Sequence, residues 1–66
     1  MTKLERKAAM VLAGATQANI ARATEFSDAY VHDVISGNRR NDVIERAIAN
    51  AIGRPVDEVF GAVVAA

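Results

Sequence analysis

The sequence of 66 residues contains no cysteine and no tryptophan, and it has one proline, one tyrosine and two phenylalanines. Without cysteine the chain has neither a disulfide nor a thiolate ligand for a metal. One histidine, His32, cannot by itself make a metal site. We therefore expect no metal, cofactor or small-molecule ligand. No apolar run approaches the roughly 20 residues that cross a bilayer, and the charged start of the chain is unlike a secretory signal. We therefore expect a cytoplasmic protein with no membrane partner.

Patterns that accompany catalysis are also missing. The chain has no Gly-rich phosphate loop, no recognisable pairing of a nucleophile with a histidine base, and no paired carboxylates in an apolar setting. We therefore expect that the protein is not an enzyme.

Charge is balanced overall but unevenly distributed. The formal net charge is zero, which argues against a strong nonspecific binder of polyanions. Residues 1–22 contain four basic residues and one acidic residue, whereas residues 23–66 contain four basic and seven acidic residues. Any surface that binds DNA must therefore be a local patch.

The residues that are abundant favour helices. Hydrophobic residues make up 52% of the chain and are rich in alanine, valine and isoleucine, which suits close packing of helices better than a sheet. The chain has room for a single domain, residues 1–66. We predict an all-α, compact bundle of about five short helices, at residues 2–13, 17–24, 28–35, 42–52 and 55–64.

Cap and stop residues set these bounds. Thr2, Thr16, Ser27 and Asn41 are suited to helix N-caps. A left-handed Gly14 is expected after the first helix, Gly53 is expected to stop the fourth, and Pro55 suits a first helical position. Helical spacing then predicts the inward-facing residues of each helix in turn: Leu4, Ala8, Val11 and Leu12; Ile20, Ala21 and Thr24; Val31, Val34 and Ile35; Ile44, Ala47, Ile48, Ala51 and Ile52; Val56, Val59, Phe60 and Val63.

The most informative stretch is residues 17–40. Two short helices joined only by residues 25–27 must cross steeply, and Ala21 is small where they approach. Ile20, Phe26, Val31 and Val34 would lock the pair together. This arrangement leaves the outer face of the third helix free to enter a major groove of DNA.

At this point the sequence resembles a known family. Residues 17–22, QANIAR, resemble the opening of the helix-turn-helix of lambda-repressor-like (Cro-type) regulators, and residues 31–40, VHDVISGNRR, resemble its end. Residues 44–60, IERAIANAIGRPVDEVF, are similar to the last two helices of small phage and mobile-element members, including Ner-like ones. The resemblance spans nearly the whole chain and implies a lambda repressor-like DNA-binding domain with its motif at about residues 17–36.

The resemblance also implies roles for particular residues. The expected base-contact residues are Asp28, Ala29, Tyr30, His32 and Asp33. The expected phosphate-contact residues are Thr16, Gln17, Ser27, Asn38, Arg39 and Arg40. The forked guanidinium of arginine independently suits phosphate, and a Gly-Asn turn can bring it close.

Two positions depart from the family pattern. Glu25 stands where the turn usually has glycine, so either a glutamate adopts a left-handed backbone or the turn differs. Thr24 replaces the usual large aliphatic residue, which weakens the packing of the pair. The third helix also carries two acids and no Arg, Lys, Asn or Gln. An aspartate can accept from the amino group of cytosine, but beside phosphates it mostly repels.

Each candidate residue also has a structural interpretation. His32 is either exposed or near phosphate, or it contacts a base. Tyr30 either packs at the helix edge or touches the DNA backbone or a thymine methyl. Asp28 is either a partner of the helix dipole or a base reader. Arg39 and Arg40 are alternatively a solvated loop. Three basic residues are alternatively the solvated face of the first helix or flanking phosphate contacts: Lys3, Arg6 and Lys7.

The leading hypothesis is a sequence-specific regulator that binds double-stranded DNA, a repressor of the phage or mobile-element type. We expect a homodimer, at least on DNA, with Val59, Val63 and Val64 as contact candidates. The alternative is a helical module on the same scaffold that binds a protein, such as an anti-regulator. Acids on the third helix, zero net charge and Glu25 favour that alternative. A third possibility is a multimerisation fragment with no ligand of its own.

Overall fold

The computed structural model describes residues 1–61, and these form five α-helices without any strand. The helices are α1 Lys3–Leu12, α2 Gln17–Thr24, α3 Asp28–Ser36, α4 Asp42–Ile52 and α5 Val56–Phe60. The predicted all-α fold is therefore confirmed. None of these helices is long and apolar enough to traverse a lipid bilayer.

Side-chain caps begin the first four helices at the predicted residues. The side chains of Thr2, Thr16, Ser27 and Asn41 each accept a hydrogen bond from the backbone N–H three residues later. The last helix differs from the prediction at both ends. Pro55 precedes its first residue and is not part of it, and the helix ends at Phe60 because Gly61 has a φ of +84°, outside the helical range.

Helix α4 lies at the centre of the bundle, packed against each of the other four helices. Its Ile44 and Ile48 are fully buried, together with Val31 and Val34 of α3 and Val59 of α5. The predicted inner faces of α2 and α3 are confirmed, since their apolar members are all buried and Thr24 is half-buried. On α4 the prediction is wrong for Ala51, which is exposed, and it omits two buried residues: Glu45 and Ala49.

The predicted inner face of α1 is wrong. Leu4, Val11 and Leu12 keep 78%, 76% and 88% of their surface exposed, and Ala8 is exposed as well. The opposite face of the helix enters the bundle and buries Arg6 and Met10. Periodicity alone identifies an apolar stripe, but it does not decide which face of a helix finds partners.

A set of backbone carbonyl groups explains why the arginine face is the buried one. Arg6 Nε donates to Ile35 O at 2.8 Å, and Nη1 donates to Met1 O at 2.8 Å and Val59 O at 3.1 Å. The guanidinium also lies 5.1 Å from the ring centroid of Phe60. Arg6 is only 7% exposed, so the interpretation of it as a solvated or phosphate-binding residue is wrong. Burial lowers the pKa of this guanidinium.

The connection between α2 and α3 takes the left-handed form, with a glutamate in place of glycine. Glu25 has a φ of +61°, and no other described residue besides glycine has a positive φ. Its N–H donates to Ala21 O, which ends α2, and Phe26 N donates to the same carbonyl at 3.2 Å. Thr24, at the position where the family usually has a large aliphatic residue, is half-buried. Its hydroxyl donates a hydrogen bond to Ile20 O at 2.7 Å, so this polar group has a partner.

The left-handed backbone at Glu25 yields a stability prediction. Glu25→Gly is expected to raise the free energy of unfolding by about 0.5–1 kcal/mol, because the relief of the Cβ clash exceeds the added freedom of the unfolded chain. The matched control Glu25→Ala keeps the clash and is expected to change little. Urea denaturation measures both variants, and equal stabilities for the two would contradict the prediction.

Candidate functional site

Helices α2 and α3 form a rigid pair around the short turn of residues 25–27. Ile20 and Ala21 of α2 are buried against α3, whose own buried residues include Val31 and Val34. Gln17 Nε2 donates to Asp28 O at 3.1 Å and ties the first residue of α2 to the first residue of α3. The orientation of α3 is therefore fixed at its start as well as along its length.

The outer face of α3 is directed into solvent, as the sequence predicts. Asp28, Ala29 and His32 are exposed, whereas Tyr30 and Asp33 are half-buried. Three of the five predicted base-contact residues thus form one open surface over the first five residues of the helix. The other two lie at its edge, where they contact the loop that follows α3.

Tyr30 packs at the helix edge. Its ring stacks on Phe26 with the centroids 5.0 Å apart, and the guanidinium of Arg39 lies 5.0 Å from the Tyr30 ring centroid. The hydroxyl accepts a hydrogen bond from Asn41 Nδ2 at 3.4 Å. The packing interpretation of this residue therefore has direct support, and its ring holds Arg39 in place.

Arg39 stays beside the outer face of α3. Its Nε lies 3.5 Å from Asp33 Oδ2, and 56% of its side chain is exposed. An exposed pair of this kind contributes little to stability. The guanidinium is therefore open to a stronger anionic partner, while Asp33 and the Tyr30 ring limit where it can move.

Arg40 has a different environment from that of its neighbour. Its Nε and Nη2 donate to the two carboxylate oxygens of Glu45, both at 2.9 Å, and Nη2 also donates to Gly61 O at 3.1 Å. Glu45 is 3% exposed and also accepts from Asn41 N at 2.8 Å. The hydrogen bond to Glu45 raises the pKa of Arg40. Binding a phosphate would require Arg40 to compete with a buried carboxylate, so the two predicted arginines are not equivalent.

The remaining predicted phosphate-contact residues lie at helix ends. Thr16 and Ser27 accept from Asn19 N and Tyr30 N, both at 3.1 Å, so their side chains serve as caps. Asn38 is exposed and its N–H donates to Asp33 O at 2.9 Å. These three residues therefore remain candidates for phosphate contact. They lie around α3 and do not belong to its outer face.

The predicted dimer residues do not form a surface in the described part of the chain. Val59 has no exposed area, because α5 turns its apolar side toward α4 and Arg6, so Val59 as a dimer contact is wrong. Val63 and Val64 lie outside the described residues. Val59 does close the core, as its helical spacing also predicts.

The chain has no match among family models, curated proteins or solved structures. Sequence reasoning missed two residues that shape this site, Arg6 and Glu45. The signal for Arg6 was a second face of α1 made of small or flexible residues, namely Ala9, Met10 and Ala13. The signal for Glu45 was its position four residues after the cap Asn41.

The difference between the two arginines can be measured as stability. Arg40→Met is expected to lower the free energy of unfolding by about 1–2 kcal/mol, because it leaves the buried Glu45 carboxylate without its guanidinium. Arg39→Met is the matched control and is expected to cost about 0.5 kcal/mol or less. Urea denaturation compares them, and an equal cost for both substitutions would refute the assignment of Arg40 to the fold.

Proposed function

We propose that the protein is a sequence-specific regulator that binds double-stranded DNA through a helix-turn-helix formed by α2 and α3, and acts as a repressor of the phage or mobile-element type. The observation that carries the proposal is the open surface of Asp28, Ala29 and His32 on a helix that a neighbouring helix holds rigidly outward. The resemblance of residues 17–22 and 31–40 to lambda-repressor-like regulators points the same way.

The dimensions and chemistry of α3 suit a major groove. An α-helix with its side chains is about 10–12 Å across and fits a groove roughly 12 Å wide, and the nine residues of α3 extend about 13 Å along it. His32 can donate to or accept from a base edge, Asp28 can accept from the amino group of cytosine, and the methyl group of Ala29 can contact the methyl of thymine. These residues occupy the first half of α3, the part of a recognition helix that contacts bases in such proteins.

Contacts to phosphate would surround this surface. The cap Thr16 and the first residue of α2, Gln17, carry backbone N–H groups at the positive end of a helix dipole. Arg39 supplies a forked cation that exchanges its exposed pairing with Asp33 for a phosphate oxygen. With so few cations near α3, one subunit would hold DNA weakly. A homodimer on a two-fold symmetric site, acting in the cytoplasm, completes the proposal.

A second candidate function is a protein-interaction module on the same scaffold. It is favoured by the charge of α3, whose charged residues Asp28 and Asp33 are both acidic. The exposed apolar residues of α1 also favour it. In that case the outer face of α3 would bind a basic partner and not a nucleic acid.

The test is selection of DNA by the purified protein from a random pool, followed by fluorescence titration of the selected site and a random duplex at several salt concentrations. The selected site is expected to bind more tightly, and His32→Ala is expected to reduce that preference. Arg39→Ala is expected to weaken binding to both duplexes and to reduce the salt slope by about 1, because one phosphate contact is lost.

Arg54→Ala is the control for the salt slope. Like Arg39, Arg54 is an exposed arginine paired with one carboxylate, since its Nη1 lies 3.0 Å from Glu58 Oε1. It is expected to leave binding unchanged. Equal affinity for selected and random DNA would reject specific recognition. Absence of binding even at low salt would favour the protein-interaction module.

A further inference from the structure

Helix α1 presents an apolar stripe that the rest of the described chain does not cover. Leu4, Ala8, Val11 and Leu12 follow the spacing i, i+4, i+7 and i+8, and the three large residues are 76–88% exposed. The buried face of the same helix, with Arg6 and Met10, lies on the opposite side. Three of the five large hydrophobic residues exposed in the described part of the chain are therefore on this one stripe.

A groove adjoins the stripe and extends its apolar surface. It has a volume of about 430 Å³ and runs between the second half of α1, the loop that follows it and the end of α3, with Val11, Ala15 and Ile35 among its lining residues. Val11 belongs to both the stripe and the groove. Protruding side chains and a depression able to receive side chains thus occur side by side on one helix.

We propose that this stripe is an interface between two copies of the chain, in which the two α1 helices pack antiparallel about a two-fold axis that passes beside Ala8. Leu4 and Leu12 each lie four residues from Ala8, so the axis brings Leu4 of one copy against Leu12 of the partner subunit. The small side chain of Ala8 lets the helices approach where they cross. A surface with a small residue at its centre and large residues at equal distances on both sides is complementary to itself.

The charges of α1 favour the antiparallel arrangement over the parallel one. All of its charged residues are in its first half, where the exposed ones are Lys3, Glu5 and Lys7. A parallel pair would place each of these beside its own copy, so that like charges would be level with each other. An antiparallel pair places them level with uncharged residues 9–13. The last turn of α1 contains no basic residue, and Lys3 of the partner subunit would supply a cation near its carbonyl end.

The size of the surface sets the strength of the contact. A helix of ten residues is about 15 Å long, and one face of it is smaller than the roughly 800 Å² that each partner buries in a stable complex. We therefore expect a weak dimer in solution that DNA would stabilise. The proposal deepens the proposed function, since it names the surface for pairing on DNA, but its test uses no DNA and can fail or succeed separately.

Disulfide trapping tests the interface directly, because the natural chain contains no cysteine. Ala8→Cys places one thiol at the two-fold axis, where two copies meet within disulfide distance. At millimolar protein under mild oxidation, this variant is expected to form a linked dimer about tenfold faster than Ala51→Cys, because the interface raises the effective thiol concentration. Ala51 is the matched control, an exposed alanine on α4. Equal rates for the two variants would overturn the proposal.

The direction of the helices is tested with a mixture of two variants, Leu4→Cys and Leu12→Cys. The antiparallel arrangement predicts that the mixed disulfide exceeds either self-linked dimer, whereas excess self-linked dimers would refute it. Adding Leu12→Lys to Ala8→Cys is expected to reduce trapping to the rate of the Ala51→Cys control. Circular dichroism establishes that each variant remains helical.

Other occupants of the stripe would give a different result by NMR. A second copy predicts that the methyl resonances of Leu4, Val11 and Leu12 shift as the protein is diluted. Shifts that are independent of concentration but respond to substitution of Val63 and Val64 by serine would assign the stripe to residues 62–66 and overturn the proposal. If the resonances respond neither to dilution nor to these substitutions, the stripe would be assigned to binding of an unrelated protein, and the proposal would likewise be overturned.

Discussion

One guanidinium group, that of Arg6, donates hydrogen bonds to the backbone of three separate segments of the chain: Met1, which precedes the cap of α1, Ile35 near the end of α3, and Val59 near the end of α5. A buried arginine is costly unless its donors are paired, and here carbonyl oxygens and the Phe60 ring provide that pairing. Because these acceptors lie inside the bundle, α1 packs with its arginine side inward. The apolar stripe of α1 is then exposed as a consequence.

The same contact extends toward the candidate site. Arg6 Nε holds the Ile35 carbonyl at the end of α3, and a methyl group at the next turn residue, Gly37, would lie only 3.2 Å from Arg6 Nη2. Beyond that turn, the pairing of Arg40 with Glu45 fixes the loop that also carries Arg39. Buried polar residues therefore determine where the exposed arginine lies, and a rigid surface beside α3 is the result.

Much of the fold follows from local rules of sequence. Thr16, Ser27 and Asn41 predict where helices begin because a capping side chain bonds within its own first turn. The inner faces of α2 and α3 follow from spacing, since each has a single apolar side. The inner face of α1 does not follow from spacing. The orientation of this helix depends on hydrogen bonds from a polar side chain to carbonyl groups more than 25 residues away in sequence, which only the folded chain brings close. The unequal surroundings of Arg39 and Arg40 depend on Glu45 in the same way. Adjacent residues of identical type thus acquire different roles from tertiary contacts that spacing does not encode.

The most direct test of this account is the free energy of unfolding of Arg6→Met, measured by urea denaturation beside Lys7→Met on the exposed side of the same helix. The substitution keeps an unbranched apolar stem but removes the donors to Ile35 O and Val59 O. We expect a loss of about 3 kcal/mol for Arg6→Met and less than about 0.5 kcal/mol for Lys7→Met. An Arg6→Met protein as stable as the natural one, or more stable, would contradict the account, because the cost of burying the charge would then outweigh its hydrogen bonds.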